Sequence, residues 1–297
     1  QGSILGPLLF NLYINDLAYI PYSQSVIMYA DDTNVFFAGK SLQMLQISIN
    51  NYLKLLMSWL HSNQLQLNVN KTKYIIFAPI NKPINFKLAI LFQNVQIEQV
   101  EAHKFLGIWF RGDMSWTTHV EKLSAELSKI TGCFNKIRDL IPLWLKKALY
   151  YSMFYSRLTY CMLVWGTTYS KNYQKLIILQ KRVLRCFENY TGRLRDLRTH
   201  DLFIKHNLLK ANQMYYYRIF QHIKKNKLYT AKSPQSKCRY SLRNETRVIP
   251  KFRTAYGRQH IGYQVPHLIN HLSPLDFNTM SKKSMKLYII NHQLEYV

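Results

Sequence analysis

The run Ser25–Gly39, SVIMYADDTNVFFAG, constrains the fold more than any other stretch of the chain. Two segments rich in β-branched and aromatic residues, Ser25–Ala30 and Thr33–Gly39, are separated only by Asp31 and Asp32. So short a spacer predicts strand, tight turn, strand. Adjacent carboxylates repel, and acids are scarce here: 15 Asp and Glu against 40 Lys and Arg in 297 residues. An Asp-Asp pair in a turn ordinarily marks only a turn, because aspartate tolerates turn geometry and hydrogen-bonds nearby backbone. The apolar flanks, however, predict a buried hairpin with both charges fixed at its tip, where they repel unless a cation neutralises them. Anionic oxygen donors of this kind suit Mg²⁺, which takes one or two carboxylates and keeps other positions for water or substrate phosphate. Two such ions about 4 Å apart can bind both the attacking and the leaving oxygen of a phosphoryl transfer.

The basic excess lies away from this hairpin. Residues 1–70 hold Lys40 and Lys54 against Asp16, Asp31 and Asp32, a net charge of −1. The formal net charge is +25, so the rest of the chain carries +26. A near-neutral front and a basic body point to a polyanionic partner, nucleic acid first and an anionic membrane surface a distant second. With 48% hydrophobic residues the chain can build a core, which excludes global disorder. Cys133, Cys161, Cys186 and Cys238 form no C-x-x-C pair and stand at no zinc spacing to histidine. They read as buried thiols in a reducing compartment. The most apolar stretch, ALYYSMFYSRLTYCMLVWG, is interrupted by Arg157 and several hydroxyls, so no membrane span is expected. The start, QGSILGPLLF, lacks an initiator Met and the features of a signal peptide, so the chain reads as an unsecreted fragment.

Periodicity gives an α+β organisation. Leu8, Leu9, Leu12, Tyr13 and Leu17 predict a helix with Pro7 in its first turn. Ser41 reads as the N-cap of a helix over Leu42–Leu60. LQLNVNKTKYIIFAP predicts a second hairpin with its turn at Asn68–Thr72. The segment to Phe110 predicts two or three more strands, with turns near Asn94 and Gly107. Beyond Arg111 the pattern becomes helical. A capping box from Thr118 to Glu121 opens the first helix, and Pro142 and Gly166 bracket the second. KNYQKLIILQKRVLRCFENY forms a third with basic residues on one side, and a fourth starts near Thr199. After Lys227 four prolines weaken the signal. Trp109, Trp116, Trp144 and Trp165 read as core residues.

YADD, Tyr29–Asp32, resembles the Y-x-D-D turn of reverse transcriptases. QGSILGPLLFNLYINDL resembles the motif that precedes it in that family, WLHSNQLQLNVNKTKYIIF the next, and HKFLGIWF the hairpin after that. DMSWTTHVEKL resembles the start of the thumb helices in non-LTR retrotransposon enzymes of LINE or jockey type. The five come in the family's order, and the resemblance covers nearly the whole chain. It implies a partial palm over residues 1–111, a helical thumb or connection over 112–226 and a basic tail over 227–297.

By the same resemblance, Asp31 and Asp32 are catalytic metal ligands for two Mg²⁺ ions, with Mn²⁺ as a substitute. Lys71 stands near the departing pyrophosphate. Gln1, Gly2, Tyr29 and Ala30 contact template, nucleotide or primer end. Leu106 and Gly107 form the primer-grip turn, and Lys181, Arg182 and Arg185 lie along nucleic-acid backbone. The implied partners are an RNA template, a DNA primer, dNTPs and the element's own RNA in a nuclear and cytoplasmic ribonucleoprotein, with no membrane. The family's third catalytic carboxylate arises upstream of the Gln-Gly motif, and Asp16 falls at a helix end rather than on a strand beside the hairpin. This chain is therefore expected to be inactive by itself and poorly soluble through an exposed sheet edge. The alternative is a non-catalytic nucleic-acid-binding remnant of such an element.

Overall fold

The computed structural model of the protein describes residues 3–79, 81, 84, 86–193, 196–228, 247–272, 277 and 279–296. The chain divides into two units: residues 1–103 with 111–113, and residues 104–110 with 114–297.

In the first unit the apolar run at Pro7 forms α1 (Leu5–Ile14), followed by a 3₁₀ turn over Asn15–Tyr19. Within α1 only Ile14 is buried, and Leu5, Leu8, Leu9 and Leu12 face outward. Strands β1 (Ser25–Tyr29) and β2 (Asp32–Phe36) pair antiparallel, in a register running from Ser25↔Phe36 to Tyr29↔Asp32. Helix α2 (Leu42–Ser62) buries Tyr52, Leu53 and Leu56. Ser41 sits at its N-cap in extended backbone, but its side chain makes no capping hydrogen bond.

The hairpin expected after α2 does not form. Asn68 organises the polar turn instead: its carbonyl accepts from the Lys71 and Thr72 amides, and its side chain accepts from the Lys71 amide at 3.2 Å. Only Lys73–Tyr74 (β3) becomes strand. It pairs in parallel with β6 (Glu98–Gln99), which follows the small hairpin of β4 (Leu91–Phe92) and β5 (Val95–Gln96). Side-chain amides complete what the short strands lack. Asn50 on α2 donates to the Ala89 carbonyl and accepts from the Leu91 amide, while Gln46 accepts from the Ala89 amide. Leu88, Ile90, Phe92 and Ile97 thereby close a core with Leu17 and Tyr52. The turns near Asn94 and Gly107 are as expected, the latter joining β7 (Ala102–Phe105) to β8 (Ile108–Arg111).

The second unit is helical. α3 (Thr117–Ile137) packs along α7 (Ser170–Phe187). The expected Thr118–Glu121 capping box is absent, since both residues lie inside α3 and Trp116 holds the N-cap position without a side-chain bond. The helix opened by Pro142 is not continuous. It runs as α4 (Leu143–Leu149), a π turn over Tyr150–Tyr155, α5 (Ser156–Thr159) and, after a break at Tyr160–Cys161, α6 (Met162–Trp165). Gly166 ends it at a close approach: a Cβ there would clash with the Tyr215 ring.

The expected fourth helix is two, α8 (Thr199–Lys205) and α9 (Ala211–Lys225). The weakly patterned tail contains α10 (Ala255–Gln259), α11 (Ile261–His271) and α12 (Lys282–Asn291). Pro266 lies inside α11, where Val265, Leu268 and Ile269 bury against the core and outweigh the lost backbone bond. At the centre Gln180 donates to the Tyr150 hydroxyl and the Leu209 carbonyl and accepts from the Ala211 amide at 2.8 Å. The buried Lys146 ammonium donates to the Cys186 carbonyl at the end of α7 and to Asn189. Trp165 is core as expected, Trp109 and Trp116 are half-buried, and Trp144 is exposed. Cys186 is buried, but Cys133 and Cys161 are exposed, and Cys238 lies outside the described residues. Among the described residues no helix is long and apolar enough to cross a membrane.

Candidate active site

The β1–β2 hairpin builds the site from a plain alternation. Val26, Met28 and Val35 turn toward the core around Tyr52 and pack there partly buried. Partners across an antiparallel pair share a face, so Tyr29 and Asp32 fall together on the opposite side, with Ile27 and Phe36 exposed along it. The loop between them is Ala30 and Asp31. Ala30 has φ +52°, in the left-handed region. A residue with a Cβ spends roughly 1 kcal/mol or more there. The paired strands and the core contacts behind them supply the constraint that holds it.

Both carboxylates are exposed, not enclosed as the apolar flanks suggest. The reason is the outer face of the hairpin, which nothing among the described residues covers. The Asp31 and Asp32 carboxylates have no hydrogen-bond or ion-pair partner among the described residues. Two hard oxygen donors without a cation partner fit Mg²⁺. No third acid, histidine or cysteine among the described residues joins them in a cluster that could hold a metal. Asp16 is engaged elsewhere: Trp59 Nε1 donates to its Oδ2 at 3.1 Å.

Gln1 and Gly2 lie outside the described residues. Lys71 is exposed on the Asn68–Thr72 turn, with its backbone fixed and no ion pair among the described residues. Leu106 and Gly107 form the β7–β8 turn in the second unit. Both have positive φ, +45° and +83°. Sequence gave no sign of what holds this turn. The Tyr160 hydroxyl, 54 positions away, donates to the Leu106 carbonyl at 2.8 Å, and its ring lies 3.2 Å from where a Gly107 Cβ would stand. On α7, Arg182 is exposed while Lys181 and Arg185 are half-buried, and the Arg185 Nε is buried without a partner among the described residues. The α7 stripe is partly neutralised, since Lys175 pairs with Glu121 at 3.3 Å.

Residues 1–110 match the family described as reverse transcriptase (RNA-dependent DNA polymerase). This stretch is a reverse transcriptase domain. Three relatives from Drosophila melanogaster agree. The chain is 26% identical over 206 residues to the probable RNA-directed DNA polymerase from transposon BS, covering 62% of this chain and 21% of that protein. It is 26% identical over 195 residues to the RNA-directed DNA polymerase from mobile element jockey, again 62% and 21%. To the probable RNA-directed DNA polymerase from transposon X-element it is 23% identical over 245 residues, 78% of this chain and 26% of the relative. The chain thus spans about a fifth to a quarter of the length of these relatives. No solved structure matches it. Tyr29–Asp32, Lys71 and Leu106–Gly107 of the chain fall within the matched reverse transcriptase stretch, whereas α7 lies beyond it.

Proposed function

We propose that this chain is the carboxyl-terminal palm and thumb part of an RNA-directed DNA polymerase of a non-LTR retrotransposon. One observation carries the reading: two unpartnered carboxylates at the strained tip of a core-backed hairpin, within a stretch that matches reverse transcriptases. Asp31 and Asp32 would hold Mg²⁺, or Mn²⁺ in its place, and Lys71 would meet the departing pyrophosphate. A pair of bound ions supplies Lewis-acid stabilisation of the attacking and leaving oxygens. The residues of this chain position the reactants. The left-handed turn at Ala30 presents both carboxylates outward on rigid strands, and the exposed Tyr29 ring beside Asp32 offers a surface to the primer end. Leu106–Gly107, clamped by Tyr160, offers a fixed edge for the primer strand. A ligand set of two carboxylates fixes two ions poorly, so these 297 residues are proposed to need a third acid from another segment to catalyse extension. Template RNA, primer DNA and dNTPs are the corresponding partners, within an intracellular ribonucleoprotein.

The test is Mg²⁺-dependent primer extension by the chain alone and by the chain fused behind a polymerase segment that supplies a third carboxylate. Extension by the fusion alone, abolished by Asp31→Asn or Asp32→Asn with unchanged circular dichroism, supports the reading. Salt-sensitive nucleic-acid binding by a fusion that never extends a primer would instead establish the non-catalytic remnant, which the net charge of +25 also favours.

A further inference from the structure

The helical unit contains an open cavity of about 570 Å³ against the π turn, the Tyr160–Cys161 break and the start of α6. That volume lies within the range of small-ligand pockets. Its lining includes Tyr151, Tyr155, Tyr160, Cys161 and Arg218, and no acid. Tyr151 and Tyr155 meet edge to face at 5.4 Å, and the Arg218 guanidinium lies 5.9 Å over the Tyr155 ring. Arg218 donates to Thr159 Oγ1 at 2.9 Å and to Gln221 Oε1 at 3.1 Å. An arginine carries five N–H donors, so it retains hydrogens for which the described residues offer no acceptor.

Tyr151 and Tyr160 are exposed, and the Tyr151 hydroxyl, unlike that of Tyr160, makes no hydrogen bond that would give it a structural task among the described residues. The backbone beneath them is irregular. Besides the π turn, Cys161 stands at φ +46°, and both features concentrate at functional sites. Tyr160 also lines a second cavity with Lys104, Lys122 and Arg157, three cations beside the single acid Glu126. One ring therefore separates an aromatic hollow from a cationic one.

We propose that the tyrosine cavity takes an unpaired nucleobase of a single-stranded nucleic acid. The base stacks on the exposed Tyr151, Arg218 donates to an acceptor on that nucleotide, and the neighbouring phosphates run over Lys104, Lys122 and Arg157. Stacking on aromatic rings beside a basic track is how single strands are bound without regard to sequence. Paired bases stay inside the helix stack and leave the hollow empty. This reading needs neither carboxylate of the hairpin, so a chain that binds single strands but extends no primer leaves it standing.

The test compares the full chain's binding of a short oligothymidylate with that of an abasic strand of equal length, by fluorescence anisotropy. The abasic strand should bind roughly five- to a hundredfold more weakly. Tyr151→Ala, at a half-exposed ring, should remove most of that difference. Equal affinity for the two strands, or an unchanged difference in the variant, overturns the proposal. A second measurement needs no variant. The exposed Cys161 lines the cavity and Cys133 does not, so oligothymidylate should slow alkylation of Cys161 severalfold relative to Cys133, and the abasic strand should not. Alkylation of Cys161 at an unaltered rate refutes occupancy of the cavity.

Discussion

Acidification from pH 7 to pH 5 should weaken the helical unit through His119. This residue lies on α3, buried beside the Trp165 ring at 5.3 Å, and its Nδ1 has no hydrogen-bond partner among the described residues. Burial depresses its pKa from 6.5 to about 4. Lys104, Lys122, Arg157 and Glu126 line the same cavity, but burial alone accounts for the shift. The sign follows from where each state takes up its proton. The unfolded chain protonates near 6.5 and the folded chain only near 4, so stability falls as pH drops through that window. With those two values the loss at pH 5 relative to pH 7 is about 2 kcal/mol. For a unit of this size that lowers the melting temperature by about 4–8 °C. His206 adds to the same trend, because burial lowers its pKa despite its bond to Glu188. The assay is therefore differential: melts of wild type and His119→Gln at both pH values. The variant should lose about 2 kcal/mol of the pH dependence and keep the part that His206 contributes. An unchanged pH dependence in His119→Gln would refute the assignment.

Three further outcomes are expected. Gly107→Ala puts a Cβ at φ +83° and 3.2 Å from Tyr160. It should cost about 1–3 kcal/mol in urea unfolding, and a midpoint equal to wild type would show that the turn is not clamped. Gln180→Leu strands the Leu209 carbonyl and the Ala211 amide in the core. The expected loss is about 2–4 kcal/mol, and a change below about 0.5 kcal/mol would mean the network contributes nothing beyond shape. Burial pushes the Tyr52 hydroxyl up to about 12, and it has no partner among the described residues. Tyr52→Phe should thus be neutral or stabilising by up to about 1 kcal/mol, whereas clear destabilisation would reveal a partner.

What was legible in the sequence follows the range over which each feature is determined. The β1–β2 hairpin was legible because alternation within ten residues marks both strands, although its two-residue loop is Ala30–Asp31 and Asp32 already belongs to β2, one position earlier than the Asp31–Asp32 spacer suggests. The turns at Asn94 and Gly107, and helices α2 and α7, were legible for the same local reason. Leu65–Val69 alternates like a strand but joins no ladder, while Gln46 and Asn50 on α2 satisfy the backbone at Ala89 and Leu91. No periodicity reveals that two side chains will do the work of a strand. The break at Tyr160–Cys161 is equally silent in the apolar pattern, which continues across it. At the break Cys161 stands in left-handed backbone, Trp165 donates to the Tyr160 carbonyl five residues back, and the Tyr160 hydroxyl donates to the Leu106 carbonyl 54 positions away. The candidate site divides the same way. Its charge pattern, one carboxylate in the tight loop and the next on the first residue of β2, is written in four consecutive residues. Its precision is not. Ala30 and Leu106 both hold left-handed backbone that their side chains resist, and each is held by contacts from elsewhere, Ala30 by the core behind Val26 and Val35, Leu106 by a tyrosine 54 positions on. A four-residue motif can therefore mark where such a site would lie, while the geometry of that place depends on residues such as Val26, Val35 and Tyr160 that lie outside it.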